Sequence, residues 1–527
     1  HMHRKLPFPA ILLAGLVLGS AFGQDPKPAA TPDELGAIPH SALRIPHSEA
    51  ELQERLAGLL SEPRFEAAQW GVKIVSLDTG KTLFEQNPGK LFSPASNAKL
   101  YTVALALDRL GPDYRIRTSL YAKTRPDPGG TLEGDVVVYG RGDPTINARL
   151  HGGDSLKALE PLAAALTNAG VKRIAGDLIG DASFFRGPEF GSGWAWDDQE
   201  HDYGAEISSL TINNNTLGVL VRPGERVGAP CRLTLMPATG YLALSNRTET
   251  VPKGQRRAVS LYRLPNENVV YAFGQTPLED PGSAEEVTLH NPAGLFIAFF
   301  GEALARHGIT VSGRLRTLNW LDRQADPLYC SRMVELGALE SPLLRDLARE
   351  VLKPSQNLYA DLLLAHLGES QRTAATPAGR TSEDLGISQL DAFLAQAGVK
   401  GGEVFFNEGS GLSRENLTTP NATVALLRFM SRHPCGKIFL EALPIAGVDG
   451  TLKGRMRNTP AAGKVRAKTG SLRWATSLSG YVTTAAGERL AFCLMLNRYH
   501  SADPARPARA EVDAIAVMLA GLTARSQ

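Results

Sequence analysis

The sequence predicts a mixed α/β (α+β) protein built on an antiparallel sheet with helices around it. Three observations carry that prediction. Residues 70–77 alternate as a strand, turn at Asp78-Thr79-Gly80-Lys81 and return from Thr82, which reads as a hairpin. Residues 478–484 and 489–496 form a second strand pair joined by Ala485-Ala486-Gly487-Glu488. Around them lie runs of helical spacing, such as Leu52, Leu56, Leu59 and Leu60 within residues 48–61.

The remaining elements follow in order. Pro26, Pro28, Pro32 and Pro39, with Pro46 beyond, mark residues 24–47 as a flexible lead. Residues 96–110 read as a buried helix, with Leu100, Val103, Ala104, Leu107 and Leu110 facing inward. From about Tyr114 to Leu321 the texture changes. Strand-like runs such as 134–139 alternate with Gly/Pro turns and a few helices, and 222–281 is the most β-like and polar portion. From Pro342 helices dominate again up to the final strand pair, and residues 511–522 close the chain as a helix. There is no convincing internal repeat.

Composition narrows the function. The chain has 527 residues, 43% hydrophobic and 21% charged, with 56 Lys+Arg against 54 Asp+Glu for a net charge of +2. At about 100–200 residues per domain that is two to four domains. The small net charge argues against a nucleic-acid partner, which calls for a basic excess. The N-terminus reads as an export signal: His3, Arg4 and Lys5, an apolar run over 10–22, and Ala21-Phe22-Gly23 as a small-x-small cleavage site. Residues 1–23 are thus expected to be a signal peptide cleaved after Gly23, giving an exported, periplasmic or extracellular protein. The alternative is a retained N-terminal anchor. No later stretch reads as a span, so membrane association is expected to be peripheral at most. Cys231, Cys330, Cys435 and Cys493 lack C-x-x-C spacing, so no metal site and no cofactor are expected. Buried thiols and one structural disulfide remain open, with three complete pairings possible.

Three short motifs carry chemistry, and each occurs once. In Ser96-Asn97-Ala98-Lys99 the spacing of three puts serine and lysine on one helix face at its N-terminus. There the serine oxygen gains from the helix dipole, and a desolvated lysine can take the serine proton. In Ser355-Gln356-Asn357 a hydroxyl could relay a proton while the amide holds a substrate carbonyl and the lysine; the alternative is an ordinary helix N-cap with Ser355 as the cap. In Lys468-Thr469-Gly470-Ser471 the alternation of Val465 and Ala467 predicts a strand. Gly470 lets a substrate backbone approach. Lys468 and Thr469 can bind a carboxylate, and the Ser471 and Ser96 amides can form an oxyanion hole. The alternative for Lys468 is a basic strand end beside Lys464 and Arg466.

Taken together, Ser-x-x-Lys, Ser-x-Asn and Lys-Thr-Gly form the set found in β-lactamases and penicillin-binding proteins. The chain resembles the D-alanyl-D-alanine carboxypeptidase/endopeptidase family of low-molecular-mass class C penicillin-binding proteins. The resemblance is carried by Phe92-Ser93-Pro94-Ala95-Ser96-Asn97-Ala98-Lys99, Gly140-Arg141-Gly142-Asp143-Pro144-Thr145 and Trp194-Ala195-Trp196-Asp197-Asp198. Ile212-Asn213-Asn214-Asn215, Gly409-Ser410-Gly411-Leu412-Ser413-Arg414, residues 443–452 and residues 465–472 add to it. Ser471 stands where the family more often has threonine, and the middle residue of the second motif, here Gln356, is variable.

The resemblance implies a split penicillin-recognising (β-lactamase/transpeptidase-like) domain with antiparallel sheet and helices, interrupted by two nested inserted domains. Residues 48–113 and 322–527 would form the catalytic domain, 114–221 and 282–321 the first insert, and 222–281 the nested, β-rich one. It implies a serine-type D-Ala-D-Ala carboxypeptidase or endopeptidase that acts on peptidoglycan stem peptides and is acylated by β-lactams. Ser96, Lys99, Ser355, Asn357 and Lys468 would be catalytic, and Thr469, Gly470 and Ser471 would bind substrate. Asp198 would reach the site from the insert to bind the amino end of a side chain; as a residue it reads equally as a surface turn carboxylate beside Asp197. Asp143 is expected to shape a turn. A β-lactamase or esterase on the same residues, and a non-catalytic wall-binding scaffold, are the rival readings.

Overall fold

Two hairpins far apart in sequence meet in one five-stranded antiparallel sheet. Its order is Val465–Leu472, Ala475–Thr483, Arg489–Asn497, β1 (Gln69–Ser76) and β2 (Thr82–Gln86). The structure, a computed structural model, describes residues 44–325, 327 and 330–526. The expected signal segment and most of the expected lead lie outside the described residues. Ile74 pairs with Phe492 and Phe84, and the register places alternate residues on opposite faces. Leu490, Phe492, Leu494 and Leu496 pack with Val72 and Ile74 against α1 (Glu49–Leu60) and the helix Ala508–Gly521. Cys493 and Met495 turn the other way, with Val75, onto Phe92 and Val424. A strand buried on both faces reads as a continuous apolar run, which is why 490–496 has no polar alternation. Ser48, whose hydroxyl accepts from the Glu51 amide at 3.1 Å, fixes the start of α1.

A helical layer covers the second face. It contains α2 (Ala98–Arg109), Leu344–Leu352, Asn357–Ser370, Ser382–Gln396, Pro420–Met430 and Gly436–Ala442. Tyr359, Phe393 and Phe439 are fully buried there, and truncating such a ring to alanine costs about 3–5 kcal/mol.

The chain leaves this body after α2 and returns near Ser341. A mixed five-stranded sheet has the order Leu315–Leu318, Leu178–Asp181, Val136–Tyr139, Arg117–Ala122 and Val334–Glu340. The last of these pairs with Arg117–Ala122, so it belongs to the insert. The return expected at 322 is therefore moved to about Ser341, because the strand's ladder partner lies in the insert. The segment 222–281 does not form a separate core. Arg232–Met236 pairs with Thr216–Arg222, and Cys231, Leu242 and Val270 share one apolar cluster with Phe296, Phe300 and Leu178. In Gly-Asp-Pro-Thr, Asp143 accepts from the Thr145 amide at 2.9 Å and hydroxyl at 2.7 Å, closing the expected turn.

All four cysteines are free thiols, and no disulfide forms among the described residues. Burial pushes the Cys493 thiol up to about 11, which keeps it protonated and unreactive. Adding a thiol reductant is expected to leave the thermal unfolding midpoint unchanged. A clear fall in calorimetry would reveal a disulfide.

Candidate active site

Ser96 sits in a 3-10 turn, Ala95–Asn97, that runs straight into α2. The helix expected from Ser96 thus opens with one tight turn, because Ala95 at φ 48 bends the chain into it. Lys99 lies one turn on and is fully buried. Its ammonium nitrogen is 3.0 Å from Ser96 Oγ, 2.6 Å from Asn357 Oδ1 and 2.6 Å from the Ser410 carbonyl. A buried cation costs free energy unless it is well paired, and these acceptors meet that cost. The spacing of three does bring Ser96 and Lys99 together, and the long insertion does not separate them from Asn357.

Ser355 is not a helix cap. The helix Asn357–Ser370 begins one residue later, with Gln356 at the cap position and no side-chain capping bond. Ser355 stands at φ 67, a left-handed conformation that is costly for a residue with a Cβ. That bend aims its hydroxyl at Lys468, whose Nζ donates to Ser355 Oγ at 2.8 Å. Lys468 is fully buried, so it is no solvated strand end. Its Nζ also donates to the Thr469 carbonyl at 2.8 Å.

Val465–Leu472 is the edge strand of the sheet. The Ala467 amide leaves the sheet to donate to the Pro444 carbonyl at 3.0 Å. The two-residue period of an antiparallel ladder therefore turns the amides of 469 and 471 outward as well. The Thr469 hydroxyl donates to Thr451 Oγ1 at 2.8 Å. An open groove of about 550 Å³ begins at Thr451 and runs past Pro354, Lys353 and Arg349 to Arg149. Gly470 has a role that sequence alone did not suggest. A Cβ there would collide with Ser477 Oγ and stand 2.6 Å from the Pro94 carbonyl. Ser477 Oγ donates to that carbonyl at 2.7 Å and accepts from the Asn97 side-chain amide. The glycine is thus required by the turn that carries Ser96.

The insert contributes to the site. The Asn357 side-chain amide donates to the Tyr203 carbonyl at 2.9 Å, which orients Oδ1 toward Lys99. Asp198 is not a surface turn carboxylate. Its side chain is 2% exposed, pairs with Arg414 Nη1 at 2.9 Å and accepts from the Ala195 amide at 2.8 Å. It therefore docks the insert onto the Gly409–Arg414 loop of the catalytic body.

Sequence reasoning missed four contributors. Ser410 and Tyr203 act through backbone carbonyls, which leave no side-chain signature. Glu408 and Asp361 are buried acids that hold the loop under Lys99. Asp361 Oδ1 accepts from the Gly409 amide at 2.9 Å. Burial, reinforced by Glu408 and opposed by the Lys99 charge, pushes the Asp361 carboxyl well above the usual carboxylate range. An acid within an otherwise glycine-rich run, Glu408-Gly409-Ser410-Gly411, was the available signal.

Comparison with known proteins gives the family. The family model for D-Ala-D-Ala carboxypeptidase 3 (S13) matches residues 52–519. The chain belongs to that family. A D-alanyl-D-alanine carboxypeptidase from Actinomadura sp. (strain R39) is 33% identical over 501 residues, covering 92% of this chain and 87% of the relative. The D-alanyl-D-alanine carboxypeptidase DacB of Haemophilus influenzae is 27% identical, covering 83% and 87%. The solved structure of penicillin binding protein 4 (dacB) from Haemophilus influenzae superposes with a TM-score of 0.75 at 25% identity, covering 88% of this chain and 97% of that one. The fold is the penicillin-recognising one, and the enzyme class is that of the S13 serine DD-peptidases.

Proposed function

We propose that this S13 member cleaves the D-Ala-D-Ala bond of peptidoglycan stem peptides through an acyl-enzyme on Ser96. The observation that carries the reading is the set of partners around Lys99. In the structure Lys99 Nζ donates to all three; once it has given up a proton, the neutral amine has two N–H donors and one lone pair. Asn357 Oδ1 and the Ser410 carbonyl can only accept, so they take the donors. The lone pair then faces Ser96, whose hydroxyl can donate. Lys99 takes that proton as Ser96 Oγ bonds to the D-Ala carbonyl carbon. The outward Ser471 amide and the Ser96 amide stabilise the oxyanion.

The C–N bond then breaks. Ser355 Oγ accepts from Lys468, so its own proton is free to point at the departing nitrogen, and Lys468 replaces it. Lys468 and Thr469 hold the leaving carboxylate, Asn357 holds the acyl chain, and water completes the cycle. Gly470 keeps the strand close to the nucleophile's turn. Asp198 contributes by holding Arg414, with which it pairs. No cofactor or metal enters these steps. A β-lactam presents the same acyl bond and leaves Ser96 acylated. The substrate is a wall peptide, so the enzyme acts outside the cytoplasmic membrane. No helix among the described residues is long and apolar enough to cross one.

A fluorescent penicillin is expected to label the protein covalently, with the adduct mapping by peptide mass to Ser96. D-Ala release from an uncross-linked muropeptide accompanies it, and cleavage of a cross-linked one measures the endopeptidase share. No adduct, or an adduct on another residue, would overturn the reading. Fast turnover of the penicillin would assign the site to β-lactamase chemistry.

A further inference from the structure

The loop Glu408-Gly409-Ser410-Gly411 touches the nucleophile helix at three successive points. The Thr102 hydroxyl donates to the Gly409 carbonyl at 2.7 Å. Lys99 Nζ donates to the Ser410 carbonyl at 2.6 Å. Gly411, at φ +84, lies so close to the Ala95 carbonyl that a Cβ would collide with it. These contacts fall on the residues before, within and after the Ser96–Lys99 pair.

Glu408 holds this loop in place. It is fully buried. Its Oε2 accepts from the Ser410 amide at 3.0 Å and from the Ser410 hydroxyl. Its Oε1 accepts from the Gly411 amide at 2.7 Å and the Asn416 side-chain amide at 2.5 Å. Three of these partners, the two backbone amides and the Asn416 side-chain amide, can only donate, and the two Glu408 oxygens accept from them. Acceptor oxygens held by two successive backbone amides fix the direction of the carbonyls on the other side of those peptide units. The carbonyl so fixed is the one that takes a donor from Lys99.

We propose that Glu408 is a positioning residue for the Lys99 base, acting through the Ser410 carbonyl. By occupying one Lys99 donor at a set angle, it leaves the amine lone pair on the line to Ser96. Charged groups near Lys99 include Asp361 on the Asn357–Ser370 helix, whose carboxyl feels the Lys99 charge and those of Glu408 on the loop and Glu383. The Ser410 carbonyl stabilises the ammonium more than the amine. Its loss therefore lowers the pH at which Lys99 becomes a base.

The proposal rests on the serine-peptidase reading, so labelling of wild type at Ser96 is the control. Its absence overturns that reading and this proposal with it. Glu408→Gln offers one oxygen and one NH2 group where four donors converge, so donors face donors and the loop must shift. With β-lactam acylation followed by stopped flow, Glu408→Gln is expected to acylate about tenfold or more slowly. Its non-covalent affinity should stay within about twofold, and the acid limb of its pH–rate profile should move down by about half a unit. Ser410→Ala keeps the backbone carbonyl and loses one Glu408 bond, so it is expected to shift the same limb in the same direction by less. An unchanged rate and profile in folded Glu408→Gln overturns the proposal. So does a slower rate with an unmoved limb, which marks a purely structural role. If Glu408→Gln does not fold, Ser410→Ala decides by the same limb: moved supports, unmoved overturns.

Discussion

Ser96→Ala abolishes covalent labelling by a fluorescent penicillin and lowers D-Ala release by about 10⁴-fold or more. The expectation follows from the site's economy of parts. Lys99 bonds the Ser96 hydroxyl at 3.0 Å, and the other two acceptors named on it are an amide oxygen and a carbonyl, which cannot act as nucleophiles. Removing Oγ deletes the attacking atom while leaving the Asn357 and Ser410 contacts to the lysine intact. Lys99 loses one acceptor, so stability should fall by about 1–3 kcal/mol with the protein still folded. Gel fluorescence, D-Ala release and circular dichroism on one preparation measure all three quantities. An undiminished label on the folded variant would defeat the assignment of Ser96.

Gly470→Ala is expected to slow acylation by about 10²-fold although it touches no catalytic atom. The added methyl must displace either Ser477 Oγ or the Pro94 carbonyl. These are the two groups whose bond pins the turn carrying Ser96 to Ala475–Thr483, the strand beside the edge strand. Overpacking of this kind costs about 1–3 kcal/mol, which a protein of this size absorbs while remaining folded. The strain is relieved by moving the Pro94–Ser96 turn away from the strand, and a shift of about 1 Å at a nucleophile has a rate effect of that order. Stopped-flow acylation checks it. A variant that acylates at the wild-type rate would show that Gly470 is free to move apart from the turn.

Much of this candidate site was legible because it is built from side chains in short patterns. Ser96, Lys99, Ser355, Asn357 and Lys468 each sit in a short pattern that specifies both residue type and spacing. The hairpin of β1 and β2 and the final strand pair were legible because buried strands in sequence-adjacent pairs leave long apolar runs. Other features left no such trace. The left-handed φ of Ser355 has no sequence marker, and a serine before a helix reads first as a cap. The partner that buries Asp198 is Arg414, which is 216 positions away. In the insert, two-residue strands such as Arg173–Ile174 give no periodic signal, and the run 134–139 reads as a strand without revealing its parallel partner Leu178–Asp181. The return boundary was placed too early for the same reason: Val334–Glu340 is assigned by its ladder, not by its composition.

The place where the insert leaves the catalytic body has a consequence for how the protein is made. Outgoing and returning chains run side by side there. The Ser341 amide donates to the Ile116 carbonyl at 2.8 Å, the Leu344 amide to the Tyr114 carbonyl at 2.9 Å, and the Arg345 amide to the Pro112 carbonyl at 3.0 Å. A folded insert thus brings its two ends together and roughly halves the loop that the central sheet must close, a saving of about 0.6 kcal/mol. Synthesis order works against the same sheet. β1 leaves the ribosome roughly 420 residues ahead of Arg489–Asn497, the strand it pairs with, which at about 5–20 residues per second is about 20–80 s. For that interval the apolar edge of β1 is exposed. The insert, which accounts for about half of the delay, also supplies the folded clasp that shortens the final search.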